Sequence, residues 1–148
     1  MHIRQQLRNA IGNELLSVTS LDSRIYMSRV YPFSSAALPG VNIRFNSETI
    51  SEDERANVSG GREVFRTCTI DVVVNLMGQD SDDEFDDISA DIESALYASE
   101  EIKCLAKDWV LGSTEIEVLP EAEDPVTLGT MSWIFLYANI DTNPRKSR

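Results

Sequence analysis

From Val64 to Leu76 the sequence alternates almost without a break. Val64, Cys68, Ile70, Val72, Val74 and Leu76 fall on one side, interrupted only by Arg66. Phe65, Thr67, Thr69, Asp71, Val73 and Asn75 fall on the other. A period of two marks an extended strand with one face turned to a core. Such a strand cannot stand alone, so the rest of the chain has to supply a sheet around it and a layer to cover its apolar face.

The flanking segments supply both. Ile3, Leu7, Ile11 and Leu15 recur every four residues, Ala10 widens the stripe, and Arg4, Arg8 and Glu14 lie off it, which predicts an amphipathic helix. A loop over Ser17 to Ser23 leads to an alternating strand from Arg24 to Tyr31, ended by Pro32. After a turn-rich connection from Ser34 to Gly40, Val41, Ile43 and Phe45 oppose Asn42, Arg44 and Asn46 in a second strand. Beyond Gly78, Asp80 or Ser81 is placed to cap a helix with Phe85, Ile88, Ile92, Ala95 and Leu96 on its inner stripe. A short helix over Glu100 to Asp108 follows. Strands from Ser113 to Leu119 and from Leu128 to Asp141 close the chain, joined by the turn Pro120 to Pro125.

This order predicts an α+β fold: a mostly antiparallel sheet of four to five strands with two main helices packed on one face. Residues 1–142 are read as a single domain and 143–148 as a disordered C-terminal tail. In the last strand, Trp133, Phe135 and Tyr137 oppose Ile134, Leu136 and Ala138, so both faces are apolar. One face meets the helices. The other needs cover from a neighbouring subunit or from a loop of the same chain.

Residues 47–61 break the pattern. They are polar, charged and closed by Gly60-Gly61, and read as a long hairpin loop between two strands. Loops beyond about 12–15 residues are uncommon in compact domains and are often functional. Glu52, Asp53, Glu54 and Arg55, with Arg62 beside them, are therefore candidates for a protein interface.

Composition narrows the function. With 148 residues, 42% of them hydrophobic and 26% charged, the chain is that of an ordinary soluble domain. No apolar run approaches the roughly 20 residues of a spanning helix, and the N-terminus has no signal-peptide h-region, so a cytosolic protein without a membrane partner is expected. Twenty-five acids against 13 bases give a net charge of −12, which argues against direct nucleic-acid recognition. The imbalance is local. Asp80 to Glu101 holds ten acids and no base, whereas residues 1–66 hold eight Arg and seven acids. Two readings of the acidic helix stand side by side: a solvated face, or an electrostatic docking face centred on Asp82, Asp83, Asp86 and Asp87.

Chemistry is hard to find. His2 is the only histidine, so Ser-His and Cys-His arrangements lack a base. Gly60-Gly61 is a turn rather than a phosphate loop. Asp80 to Asp87 has the density of a calcium loop but neither its glycine nor its closing bidentate Glu. Cys68 and Cys104 have no metal or redox spacing and fit buried free thiols. No catalytic residue, cofactor or metal is expected.

Several segments together resemble the tail terminator proteins of long-tailed bacteriophages, of the minor tail protein U type. They are Arg24 to Pro32, then Leu38-Pro39-Gly40 and its strand to Phe45, the polar segment, and the long strand Val64 to Leu76. The helix after Asp80 and the closing Trp133-Ile134-Phe135-Leu136-Tyr137 complete the resemblance, which spans nearly the whole chain. It implies a virion protein of the tail neck, assembled in the host cytoplasm as a hexameric ring. The ring would end tube polymerisation, with the major tail tube protein and a head-tail connector or head-completion protein as partners. Another neck component is the nearest alternative. A cytosolic binding module or enzyme is the alternative from a different class.

Overall fold

In a computed structural model of the chain, residues 1–18, 21, 24–27, 38–58, 61–78, 81–119 and 125–148 are described, with the backbone alone for 52–58. Three helices and five strands follow in the order α1 (Ile3–Leu15), β1 (Ile25–Met27), β2 (Gly40–Val58), β3 (Gly61–Met77), α2 (Asp82–Tyr97), α3 (Glu100–Leu105), β4 (Asp108–Leu119) and β5 (Val126–Ile140). The expected connection over 34–37, the cap at Asp80 and the turn over 120–124 lie outside the described residues.

The strands form one sheet in the order β1-β2-β3-β5-β4. β1 runs parallel to β2, and the other neighbours are antiparallel. The fold is α+β. β3 is the centre, as its alternation requires, pairing with β2 on one side and with β5 from Glu63↔Ile140 to Met77↔Val126 on the other.

All helices meet the same face of the sheet. Ile3, Leu7, Ile11 and Leu15 of α1 and Phe85, Ile88, Ile92 and Leu96 of α2 share one core with Cys68, Ile70, Val72 and Val74 of β3 and Met131, Trp133, Phe135 and Tyr137 of β5. α2 comes so close to β5 that any side chain at Gly129 would overlap the Phe85 ring. At the other end of α2, the Trp109 indole donates to the Leu96 carbonyl at 2.9 Å, and the Tyr97 ring meets Trp133 edge-on at 5.1 Å between centroids. α2 therefore runs along the sheet, from the Gly129 end of β5 to its Phe135 end.

Four expectations change. Residues 47–58 are strand rather than loop: β2 continues to Val58, and only the two residues 59–60 separate it from β3. Alternation failed as a guide because β2 carries two irregularities. One lies between Phe45 and Ser47, and in the other residues 52–55 stand opposite Val64 alone. β4 starts at Asp108 rather than Ser113, because an irregularity at Gly112 reverses the inward phase from Trp109 and Leu111 to Thr114 and Ile116. The tail residues, expected to be disordered, are tied back. Ile3 N–H donates to the Pro144 carbonyl at 3.0 Å, the Ser147 hydroxyl to that of Leu105 at 2.6 Å and Arg148 N–H to that of Ala138 at 2.8 Å. Finally, Cys68 is buried as expected, but Cys104 is exposed at the end of α3.

Ile70 and Ile92 are fully buried on the two sides of this core. Ile70→Asp or Ile92→Asp would place an unpaired carboxylate there, and neither variant should give soluble folded protein. Wild-type solubility and circular dichroism for either one would contradict the packing.

Candidate functional site

The sequence-predicted interface residues fall into two separate groups. Asp82, Asp83, Asp86 and Asp87 are exposed on the first turns of α2, near the Met77↔Val126 end of the sheet. The Ser81 hydroxyl precedes them at the cap position but donates backwards, to the Met77 and Gly78 carbonyls at 3.1 and 3.2 Å, so the acids of the first turn face the helix N-terminus without a side-chain cap. Glu52, Asp53, Glu54 and Arg55 lie in the irregular stretch of β2, and Arg62 starts β3 beside Ile140 and Asp141. That is the opposite end of β3, roughly 45 Å away at the rise of an extended strand. The two groups are not brought together.

What the structure does assemble is a carboxylate that the polar stretch concealed. The irregularity at Asn46 turns Glu48 inward, opposite Cys68, where its side chain is only 6% exposed. Arg4 of α1 and Arg66 of β3 reach its Oε2 through their Nη1 atoms at 3.0 and 3.2 Å, and the Tyr137 hydroxyl of β5 donates to its Oε1. The Arg4 guanidinium also lies 5.1 Å from the centre of the Phe45 ring. Thus Arg66, the one break in the apolar alternation of β3, is the partner of a buried charge.

This cluster is built for holding rather than for reacting. Burial, with the Glu48 hydrogen bond, pushes the Tyr137 phenol far above its ordinary range, so it remains a donor. Burial, reinforced by the charge of Glu48, pushes the Cys68 thiol up to about 12, which leaves it an inert thiol. His2 is held below its usual value by burial and by Arg4, and its neutral Nδ1 accepts from Arg4 N–H at 3.2 Å as the cap of α1. Among the described residues no group of His, Cys, Asp and Glu is arranged to hold a metal ion, and no helix is long and apolar enough to cross a membrane.

The remaining features are surfaces. The sheet face opposite the helices carries Val73, Leu128, Ile134, Leu136 and Val110 among Thr67, Thr69, Thr130 and Ser132. Val110 and Leu136 are exposed there, with no layer over them among the described residues. Asp71 stands in this face, accepting from the Ser132 hydroxyl at 2.8 Å and from the Asn46 amide at 3.0 Å. At the sheet edge, β4 is hydrogen-bonded to β5 on one side only. Its first residues are tucked under α2, where the Tyr97 hydroxyl accepts from Leu111 N–H at 3.0 Å. Past Gly112 no strand pairs with its outer edge among the described residues, and Ile116, Val118 and Leu119 are 40% or more exposed.

No protein-family model matches the sequence, and a search of curated proteins returns no match. Among solved structures, the chain is similar to one in a structure described as "Virion of native gene transfer agent (GTA) particle". The identity is 12%, the TM-score 0.38, and 91% of each chain is covered.

Removing the carboxylate should be the most damaging change in the Glu48 cluster, since it strands two guanidinium groups and a phenol. Glu48→Ala is expected to lower stability by about 3 kcal/mol, and Tyr137→Phe by about 1 kcal/mol. Urea denaturation checks both. A loss below about 0.5 kcal/mol for Glu48→Ala would show that the cluster does not hold the fold together.

Proposed function

We propose that this chain is a structural protein of a phage-like virion, a tail terminator that caps the head-proximal end of the tail tube as a hexameric ring. It works by binding alone, with the tube protein on one side and a head-tail connector or head-completion protein on the other. The sequence resemblance supplies the identity of the partners, the hexamer and the place in the neck.

The observation that carries the reading is the free half of β4. An edge strand with unpaired backbone groups and exposed apolar side chains is a liability for a protein that stays alone. Here Ser113–Leu119 offers both, with Ile116, Val118 and Leu119 exposed. Glu115 and Glu117 alternate with them, so a partner edge has to bring donors and basic side chains in register. On the opposite face of the sheet, Val110 and Leu136 add a second exposed apolar surface. An enzyme would need convergent acids and bases in a cleft. The charged group that does converge here, around Glu48, is locked in ion pairs.

Tube subunits add end to end, and a growing end stays competent until something binds it that offers a poor surface to the next subunit. Loss of this protein should therefore give tails that exceed their set length and fail to join heads. Electron microscopy of a lysate lacking the gene reads this directly. Normal-length tails joined to heads would contradict a virion role in the neck. Normal-length tails left unjoined would contradict the terminator and indicate another neck component.

A further inference from the structure

In a chain with a net charge of −12, three lysines and Arg148 gather where the tail returns to the end of β5. Lys103 and Lys107 line a cleft of about 470 Å³ together with Ser147 and Arg148. Ser147 and Arg148 also line an adjoining cleft of about 180 Å³, which adds Lys146. The backbone builds this place: Lys107 N–H donates to the Leu136 carbonyl and Arg148 N–H to that of Ala138, both at 2.8 Å, so the end of α3 and the returning tail frame the end of β5. Arg148 is paired with Glu63 at 3.5 Å. Lys103, Lys107 and Lys146 have no ion-pair partner among the described residues.

The opposite charge is displayed at the other end. Asp82, Asp83, Glu84, Asp86, Asp87 and Asp91 are exposed on α2 and have no ion-pair partner among the described residues either. Phe85 fixes this part of the helix over Gly129, whereas the basic clefts lie at Ala138 and Ile140. Nine strand residues separate Gly129 from Ala138, roughly 30 Å. That is several times the screening length of about 8 Å at physiological salt, so the two patches do not compensate each other within one chain.

We propose that the acidic face of α2 docks in the Lys103–Lys107 cleft, and against Lys146 of the adjoining one, on a second copy of this chain. The two patches differ and sit at opposite ends, so the contact is head-to-tail, the kind that closes into a ring when the rotation per step allows. It rests on the ring of the proposed function and names the contact that holds it. Cys104 lines the same cleft and is exposed in the single chain, whereas Cys68 is buried. The occupied cleft should therefore shield Cys104.

Two sets of exposed charge reversals test the contact in the full chain. Lys103→Glu/Lys107→Glu makes the cleft acidic. Asp86→Lys/Asp87→Lys/Asp91→Lys leaves Glu93 as the one acid against three lysines on α2 beyond the first turn, where the helix dipole does not oppose the change. The wild type should sediment as an assembly at low salt, with its dissociation constant rising about tenfold or more between 50 and 500 mM NaCl. Each variant alone should be folded and monomeric. An equimolar mixture should assemble again, because each supplies the patch the other lacks, and Cys104 alkylation should slow in every assembled sample. Unchanged assembly of either variant alone, or a mixture that stays monomeric, overturns this contact while leaving the ring intact. A wild type that is monomeric at every concentration and at low salt overturns the ring and the contact with it.

Discussion

One buried carboxylate ties together most of the elements that define this fold. Glu48 stands on β2 and is held by Arg4 of α1, Arg66 of β3 and Tyr137 of β5. Taking such a group out of water is expensive unless its oxygens are filled, and here two guanidinium groups and the Tyr137 hydroxyl fill them. A one-residue slip of β2 against β3 would turn Glu48 to the other face, leaving Arg66 unmatched in the interior and Arg4 without its partner. The cluster therefore fixes the strand register and the seating of α1 together.

Everything on the helix side of the sheet is consistent with that anchor, and little on the other side is closed. α1, α2 and α3 cover one face, with Phe85 against Gly129 at one end and Trp109 against Leu96 at the other. The opposite face keeps Val110 and Leu136 exposed, and beyond Gly112 the outer edge of β4 is unpaired among the described residues. The charge is divided along the strands, acidic at the start of α2 and basic where the tail returns. A closed core with open, charge-divided outer surfaces suits a part that works by fitting against other parts.

Much of this was legible in the sequence wherever the period of a segment was uninterrupted. The stripe of α1, the inner stripe of α2 and the alternation of β3 and β5 emerge as read, because one face of each meets a single core. Legibility failed at the bulges. A single extra residue at Asn46 changes which positions of β2 face inward, so in the sequence Glu48 lies in a polar stretch and Arg66 only interrupts an apolar face. Gly112 hid the first residues of β4 in the same way. The tail looked disordered because its composition is polar, yet it is held mainly through backbone groups, which composition does not record. The two charged segments proposed for an interface lie at opposite ends of the sheet because the whole length of β3 separates Arg62 from the start of α2.

The exposed half of β4 is the proposed meeting surface, and hydrogen exchange tests that most directly. In the isolated chain, the outward-pointing amides of Ser113–Leu119 should exchange nearly as fast as an unstructured peptide, since no strand covers that edge among the described residues. In the proposed assembly, the same amides should be slowed by about a hundredfold or more, while the amides of β3 change little. Equal, fast exchange along β4 in both states would contradict the claim that this edge is where the protein meets its neighbours.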